Sequence, residues 1–274
     1  MIRLATNGQA YYSVAPQTDA AWRELLAKIA TQAGITLEFL SYPLPQPLEE
    51  LWARSDLGCV FVVCGYPISL RQLDVVPIAA PIPSASWAEG RAVYRTDLVV
   101  RTSSRFRALP DTFGGRIGWS RRDSHSGFNS VRHHLLQYRT PARPTLYSEA
   151  VGNLGSLRRT LDSVLDGTID VGPLDAYWLA LMQRHHPEIA AGVRVIESTS
   201  TAPVPTFVAS PSVPRDVIDR LVIGFSSARD QPWFPAIAEV LLLDGFAPVR
   251  ELATFDVLRA RAQQAEDAGY PAPG

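Results

Sequence analysis

The sequence is short of lysine, of net charge and of long apolar runs, and each shortage excludes a class of protein. Lys28 is the only lysine, and 26 basic residues nearly balance 27 acidic ones to give a formal net charge of −1. Because there is also no basic run or acidic tail, nucleic acid is not an expected partner. No apolar run reaches the roughly eighteen residues of a membrane-spanning helix, so the chain is not expected to span a membrane.

Cysteines and the common catalytic motifs are scarce as well. The two cysteines, Cys59 and Cys64, lie in one predicted strand at an odd spacing. Their side chains therefore point to opposite faces of that strand, and no disulfide between them is expected. There is no C-x-x-C pair, G-x-S-x-G elbow, H-E-x-x-H motif or P-loop. We therefore expect a protein that is not an enzyme, with no metal site and no cofactor.

Strand-like and helix-like segments alternate along most of the chain, which indicates an α/β class. A helical stripe of Ala21, Leu25 and Ile29 predicts a helix over residues 18–33, before a strand over 35–40. The continuous apolar run 57–64 predicts a strand buried on both faces. Later helices are predicted over 153–165, 174–185, 214–228, 235–243 and 254–265, a strand over 169–172, and a frayed tail over 269–274.

This order of elements fits two lobes joined by two crossings. The chain is expected to leave the first lobe near Val99 and to return to it near Thr206. Lobe 1 then comprises residues 1–98 and 206–274, and lobe 2 comprises residues 99–205. Mixed sheets flanked by helices are expected in both.

The turn Ser124, His125, Ser126, Gly127 lies between a predicted strand and a predicted helix. Its hydroxyls and backbone N–H groups at a helix N-terminus favour an anion such as phosphate, phosphonate, sulfonate or carboxylate. Serine before a helix is also an ordinary N-cap, which is the alternative interpretation. N-capping and anion binding can occur together at this turn, because several N–H groups are available.

Other candidate ligand residues follow predicted strands. Tyr11 and Tyr12 come after the first strand, and Gly65 and Tyr66 come after the buried one. Ligands of open α/β sheets bind beyond the carboxyl ends of strands, and tyrosine offers an apolar wall with one hydroxyl. The alternative is that the two adjacent tyrosines pack as lobe surface. Asp175 is predicted either to meet a ligand amine or to cap the following helix.

Two sequence motifs resemble those of a known family. Residues 109–118, followed by the turn at 123–127, are similar to the phosphate/phosphonate-type substrate-binding proteins of ABC importers, which have the type 2 periplasmic-binding-protein fold. In that family a phrase like L-x-D-L-x-G-K-R-I-A-F leads into a D-x-x-S-T-S-G turn. Ser124, Ser126 and Gly127 match that turn, and His125 stands where the family usually has threonine. Residues 164–175 resemble the later phrase V-x-x-G-x-V-D-A-G-x-x-D.

The resemblance implies a two-lobed, non-catalytic protein that captures a small oxyanion-bearing ligand in a cleft between its lobes. The implied partners are that ligand, phosphonate-like or phosphate-like, and the permease subunits of an ABC importer. His125 removes one hydroxyl from the family's turn and adds a bulky, titratable ring, which predicts a narrower pocket or a different preferred ligand. The alternative functions are a cytoplasmic enzyme and a ligand sensor on the same scaffold.

The N-terminal residues favour a strand, with no basic start, apolar stretch and cleavage site. The expected location is the periplasm if an export signal has been removed, and the cytoplasm if the chain is complete as written.

Overall fold

The computed structural model describes residues 2–7, 12–40, 48–62 and 64–274, and it has the predicted α/β class. The chain divides into two compact units. Unit 1 contains Met1–Val93 and Pro203–Phe255, and unit 2 contains Tyr94–Ala202 and Asp256–Gly274. A third crossing therefore follows Phe255, where the sequence predicted only two crossings.

Strands and helices alternate in both units. In chain order they are β1 (Ile2–Asn7), α1 (Pro16–Gln32), β2 (Ile35–Leu40), α2 (Leu48–Trp52), β3 (Val60–Phe61), α3 (Gly65–Ser69), β4 (Val76–Pro83), β5 (Val93–Tyr94), β6 (Thr96–Arg101), β7 (Arg116–Gly118), α4 (Ser130–Leu135), β8 (Glu149–Val151), α5 (Leu157–Asp166), β9 (Gly172–Asp175), α6 (Ala176–His185), α7 (Pro187–Ala190), β10 (Val193–Ser198), β11 (Ala202–Pro203), β12 (Phe207–Ala209), α8 (Arg215–Ser226), α9 (Phe234–Leu241), β13 (Leu243–Pro248) and α10 (Asp256–Asp267).

Unit 1 is built on a four-stranded antiparallel sheet of order β13-β4-β12-β3, beside the parallel pair β1-β2. Four phenylalanines form its aromatic core. Phe207 lies 4.7 Å from Phe61 and 4.8 Å from Phe225, and Phe225 lies 5.0 Å from Phe246, between ring centroids. Such ring contacts add stability beyond the burial of area alone.

Unit 2 has a three-stranded antiparallel sheet of order β10-β6-β9 and a parallel pair, β7-β8. β6 is the central strand, and its apolar residues Leu98 and Val100 are fully buried in the core of the unit. The register of β6 and β9 pairs Thr96 with Asp175. This pairing brings the end of β9 to the first residue of β6.

The C-terminal residues were predicted to belong to lobe 1 and to end in a frayed tail, and both predictions are wrong. They pack within unit 2, where Tyr270 is 2% exposed. Three arginines donate to carbonyl groups in the tail or directly before it. Arg132 reaches Tyr270 at 3.1 Å, Arg139 reaches Ala268 at 2.8 Å, and Arg122 reaches Pro271 at 3.3 Å.

Two strand predictions also need correction. Among the described residues of the predicted strand 57–64, only Val60–Phe61 forms a ladder, and Leu57 makes a single bridge to Ala5. The strand predicted over 169–172 is shifted to Gly172–Asp175, because Val171 bridges instead to Ile117. In the part of the chain that the structure describes, no helix combines the length and apolar character needed to cross a membrane.

Candidate functional site

The predicted anion turn is the start of a continuous helical run in unit 2. A π-helical turn spans His125–Asn129 and leads directly into α4. Ser124 is its N-cap, and its Oγ accepts a hydrogen bond from the Gly127 N–H at 3.0 Å. The Asn129 N–H donates to the Ser124 carbonyl at 3.1 Å, the wide spacing that defines a π-turn. Turns of this kind are frequent at functional sites.

Gly127 lies between two serine hydroxyls. A Cβ atom at this position would overlap Ser120 Oγ and lie 3.1 Å from Ser124 Oγ. The Ser120 N–H also donates to the Gly127 carbonyl at 3.1 Å, which joins the segment after β7 to the turn. Ser120, 4% exposed, was not among the predicted site residues. The signal for it in the sequence is its place two residues after the strand that leads into the turn.

Ser126 has its carbonyl engaged and its other polar groups available. The carbonyl accepts from Thr96 Oγ1 at 3.0 Å and from Ser130 Oγ at 3.3 Å. Within the described residues, neither the Ser126 hydroxyl nor its N–H has a hydrogen-bond partner. The Gly127 N–H, which we predicted to be a ligand donor, is instead used by the Ser124 cap. Ser126 is therefore the residue of the turn best able to donate to an anion.

His125 is a buried neutral imidazole rather than a cation. Its ring is 1% exposed and lies 6.1 Å from the ring of Tyr94. Burial is the main cause, and with the electrostatic effects of Arg261 and His133 it lowers the pKa of His125 to about 3. The ring therefore brings no charge to an anion at neutral pH.

The two arginines before the turn are both engaged. Arg121 forms a double hydrogen bond with Asp123, at 2.9 and 2.7 Å. The guanidinium of Arg122 lies 5.4 Å from the ring centroid of Trp119 and 5.4 Å from that of Phe128. Asp123 compensates the charge of Arg121, and the aromatic rings hold Arg122 in place.

Asp175 is the N-cap of α6. Its Oδ1 accepts from the N–H groups of Tyr177 at 2.9 Å and Trp178 at 3.1 Å, and the residue is fully buried. The capping alternative is therefore present in the structure. Its predicted contact with a ligand amine stays a prediction.

The other predicted residues belong to unit 1, whereas the turn belongs to unit 2. Tyr12 is fully buried and lies edge-on to Phe61, with 5.7 Å between ring centroids, so it is core and not lobe surface. Gly65 is the first residue of α3, and the Tyr66 N–H donates to Cys64 Sγ at 3.4 Å. Tyr11 lies outside the described residues. Across the described ranges, no group of three or more His, Cys, Asp or Glu residues could hold a metal ion.

The model of one protein family matches most of the sequence. That family is described as "ABC transporter, phosphonate, periplasmic substrate-binding protein", and the match covers residues 12–252. No curated protein matches the chain by sequence.

Several solved structures are similar to the chain over nearly its whole length. A binding-protein component of an ABC phosphonate transporter from Pseudomonas aeruginosa has a TM-score of 0.77 at 13% identity, covering 98% of this chain and 87% of that one. PhnD1 from Prochlorococcus marinus, solved with methylphosphonate, has a TM-score of 0.74 at 13% identity, covering 97% and 98%. A Xanthomonas citri protein solved with ATP has a TM-score of 0.67 at 19% identity, covering 98% and 99%. At these identities the likeness establishes a shared fold.

Proposed function

The chain belongs to the periplasmic substrate-binding proteins of phosphonate ABC transporters, and on this premise we propose that it binds a small tetrahedral oxyanion, a phosphonate or phosphate, at the turn Ser124–Gly127. Its fold is the type 2 periplasmic-binding-protein fold that the sequence predicted. The family serves transport and not catalysis, so an enzyme on this scaffold is no longer the competing function.

One observation carries the proposal. The Ser126 hydroxyl and N–H have no partner among the described residues, and they lie in the first turn of a helical run. The first N–H groups of a helix lack carbonyl partners within it, and the helix dipole favours negative charge there. An oxyanion satisfies both groups at once. Methylphosphonate in PhnD1 and ATP in the Xanthomonas protein are phosphorus oxyanions, which supports the ligand class.

The remaining predicted contacts belong to the same proposal. Tyr11, Gly65 and Tyr66 of unit 1 stay proposed ligand contacts, and Asp175 is proposed to contact a ligand amine if one is present. Tyr12 is the exception, because its side chain packs in the core against Phe61. We also propose that the ligand passes to the permease subunits of an ABC importer. The protein would then act in the periplasm, the compartment given in the family description.

Isothermal titration with methylphosphonate tests the site through Ser126→Ala. The substitution removes a donor but keeps the Ser124 cap and the Thr96 bond to the Ser126 carbonyl. A hydrogen bond to a charged acceptor contributes about 1.5–3 kcal/mol, so affinity should fall about tenfold or more. Ser103→Ala, an exposed serine of the same unit, should bind like the wild type. If Ser126→Ala binds methylphosphonate as tightly as the wild type, the turn is not the oxyanion site.

A further inference from the structure

α10 lies beyond the residues that the family model matches, yet it packs against the anion turn. The match ends at residue 252, and α10 begins at Asp256. The helix buries Leu258, Ala262 and Ala265 in unit 2. Gln264 Oε1 lies 2.7 Å from His133 Nε2 on α4, and Glu266 pairs with Arg132 of α4. α10 is therefore fixed along the helical run that the turn begins.

Arg261 of α10 is a half-buried cation without a carboxylate. Its Nη2 donates to the Thr201 carbonyl at 2.8 Å. No acidic side chain pairs with it in the described ranges of the chain. Burial lowers the pKa of Arg261 from its usual value, the direction expected for a desolvated positive charge. Partial burial of an uncompensated charge is costly, and an anion nearby relieves that cost.

The position of Arg261 places its charge near the turn. α10 packs against the π-helical turn as well as against α4. Thr201, whose carbonyl accepts from Arg261, follows Thr199, and Thr199 is hydrogen-bonded to Thr96, the residue that donates to the Ser126 carbonyl.

After burial, Arg261 is the largest contributor to the lowered pKa of His125, and it also lowers the pKa of His133. Arg121 is paired with Asp123 and Arg132 with Glu266, whereas Arg122 is held against the rings of Trp119 and Phe128 and donates to the Pro271 carbonyl. Arg261 thus supplies positive charge at a turn whose own residues are formally neutral.

We propose that Arg261 is a specificity-determining residue that makes the anion turn favour a doubly charged tetrahedral oxyanion, such as a phosphonate, over a singly charged one, such as a sulfonate. It acts through its field, from a guanidinium that donates to the Thr201 carbonyl. The energy between charges scales with the charge of the ligand, so a dianion gains about twice as much as a monoanion. This inference rests on the proposed function.

Isothermal titration with methylphosphonate and methanesulfonate tests the proposal, at about pH 9, where the phosphonate group carries two charges. Arg261→Gln should weaken methylphosphonate binding about tenfold and methanesulfonate binding about threefold at low salt. Arg261→Lys should restore most of the selectivity, which a purely structural role of the arginine would not predict. Arg259→Gln removes an exposed charge from the same helix and should leave both affinities unchanged.

The outcomes separate this inference from the proposed function. If Arg261→Gln weakens the binding of both ligands equally, or keeps both affinities within about twofold of the wild type, the role of Arg261 is overturned. The proposed function still stands in that case if Ser126→Ala weakens methylphosphonate binding. A wild type that binds neither ligand overturns both the role of Arg261 and the proposed function.

If circular dichroism shows that Arg261→Gln is unfolded, a salt titration of the wild type tests the role of Arg261 instead. Methylphosphonate affinity should then fall more steeply with NaCl than methanesulfonate affinity, and equal slopes refute the proposal.

Discussion

Gly127 shows how a residue predicted for one reason is required for another. The sequence predicted Gly127 as a ligand residue of the anion turn, whereas the space above its Cα is filled by the Ser120 hydroxyl. The packing of Ser120 could not be predicted, because seven positions separate the two residues and only the folded turn brings them together. The N-cap role of Ser124 follows from local sequence alone, and it was among the alternatives considered.

His125 makes a testable contribution to the pH dependence of stability. Its pKa of about 3 in the folded protein lies below the ordinary value of 6.5, because the ring is buried. Between these two pH values the unfolded chain binds a proton that the folded chain does not. Stability is therefore fully present above the ordinary pKa and is lost as the pH falls.

His125→Gln should remove this dependence. Between pH 6 and pH 4 the free energy of unfolding of the wild type should fall more steeply than that of the variant, by up to about 1.4 kcal/mol per pH unit. Urea denaturation at several pH values measures both slopes. His185→Gln, on α6 and away from the turn, serves as the control for loss of a histidine. Parallel curves for wild type and His125→Gln would show that the ring is not buried as described.

Among the elements, those with a clear period were predictable and those fixed by tertiary contacts were not. α1 and β2 follow from an apolar stripe and the glycine that ends it, and they lie where the sequence predicted. β13 was missed because its start continues the apolar run of α9. Leu242 adopts a left-handed conformation, with φ 52°, that ends the helix and turns the chain into the strand. Nothing in the local pattern marks that change.

Hydrogen bonds of one buried arginine, Arg132, connect the C-terminal tail to the turn. Arg132 is 2% exposed, donates to the Tyr270 carbonyl, and reaches Asn129 Oδ1 at 2.7 Å. The Asn129 amide in turn donates to the Ser124 carbonyl at 3.1 Å. A chain of hydrogen bonds thus connects the tail to the N-cap of the turn.

Arg132→Met should destabilise the protein and weaken ligand binding. It leaves buried acceptors on Tyr270 and Asn129 without a donor, at a cost of about 1–3 kcal/mol each, so a loss of about 2–6 kcal/mol is expected. Urea denaturation measures the stability, and titration with methylphosphonate measures the affinity. Arg158→Met breaks an exposed pair with Asp162 on α5 and should change neither by much. If Arg132→Met changes stability and affinity as little as Arg158→Met does, Arg132 does not connect the tail to the turn as described.

At the scale of the whole molecule, the family and the fold class could be predicted from the sequence. The unit to which the last helix belongs could not. The phrases around the anion turn and at residues 164–175 carry the family resemblance, and the family match confirms it. α10 was correctly predicted as a helix, but an apolar stripe does not specify which unit will bury it. Its contacts with α4 decide that, and they are long-range in sequence.

The central claim is that the molecule binds a small phosphorus oxyanion, and a thermal-shift panel of the wild type tests it most directly. Methylphosphonate, phosphate, phosphite, methanesulfonate and acetate are compared with a neutral aromatic amide. A ligand at about one hundred times its Kd stabilises the folded state by about 2.7 kcal/mol, so methylphosphonate or phosphate should raise the Tm by several degrees. A panel in which no oxyanion raises the Tm while the neutral aromatic does would contradict the account.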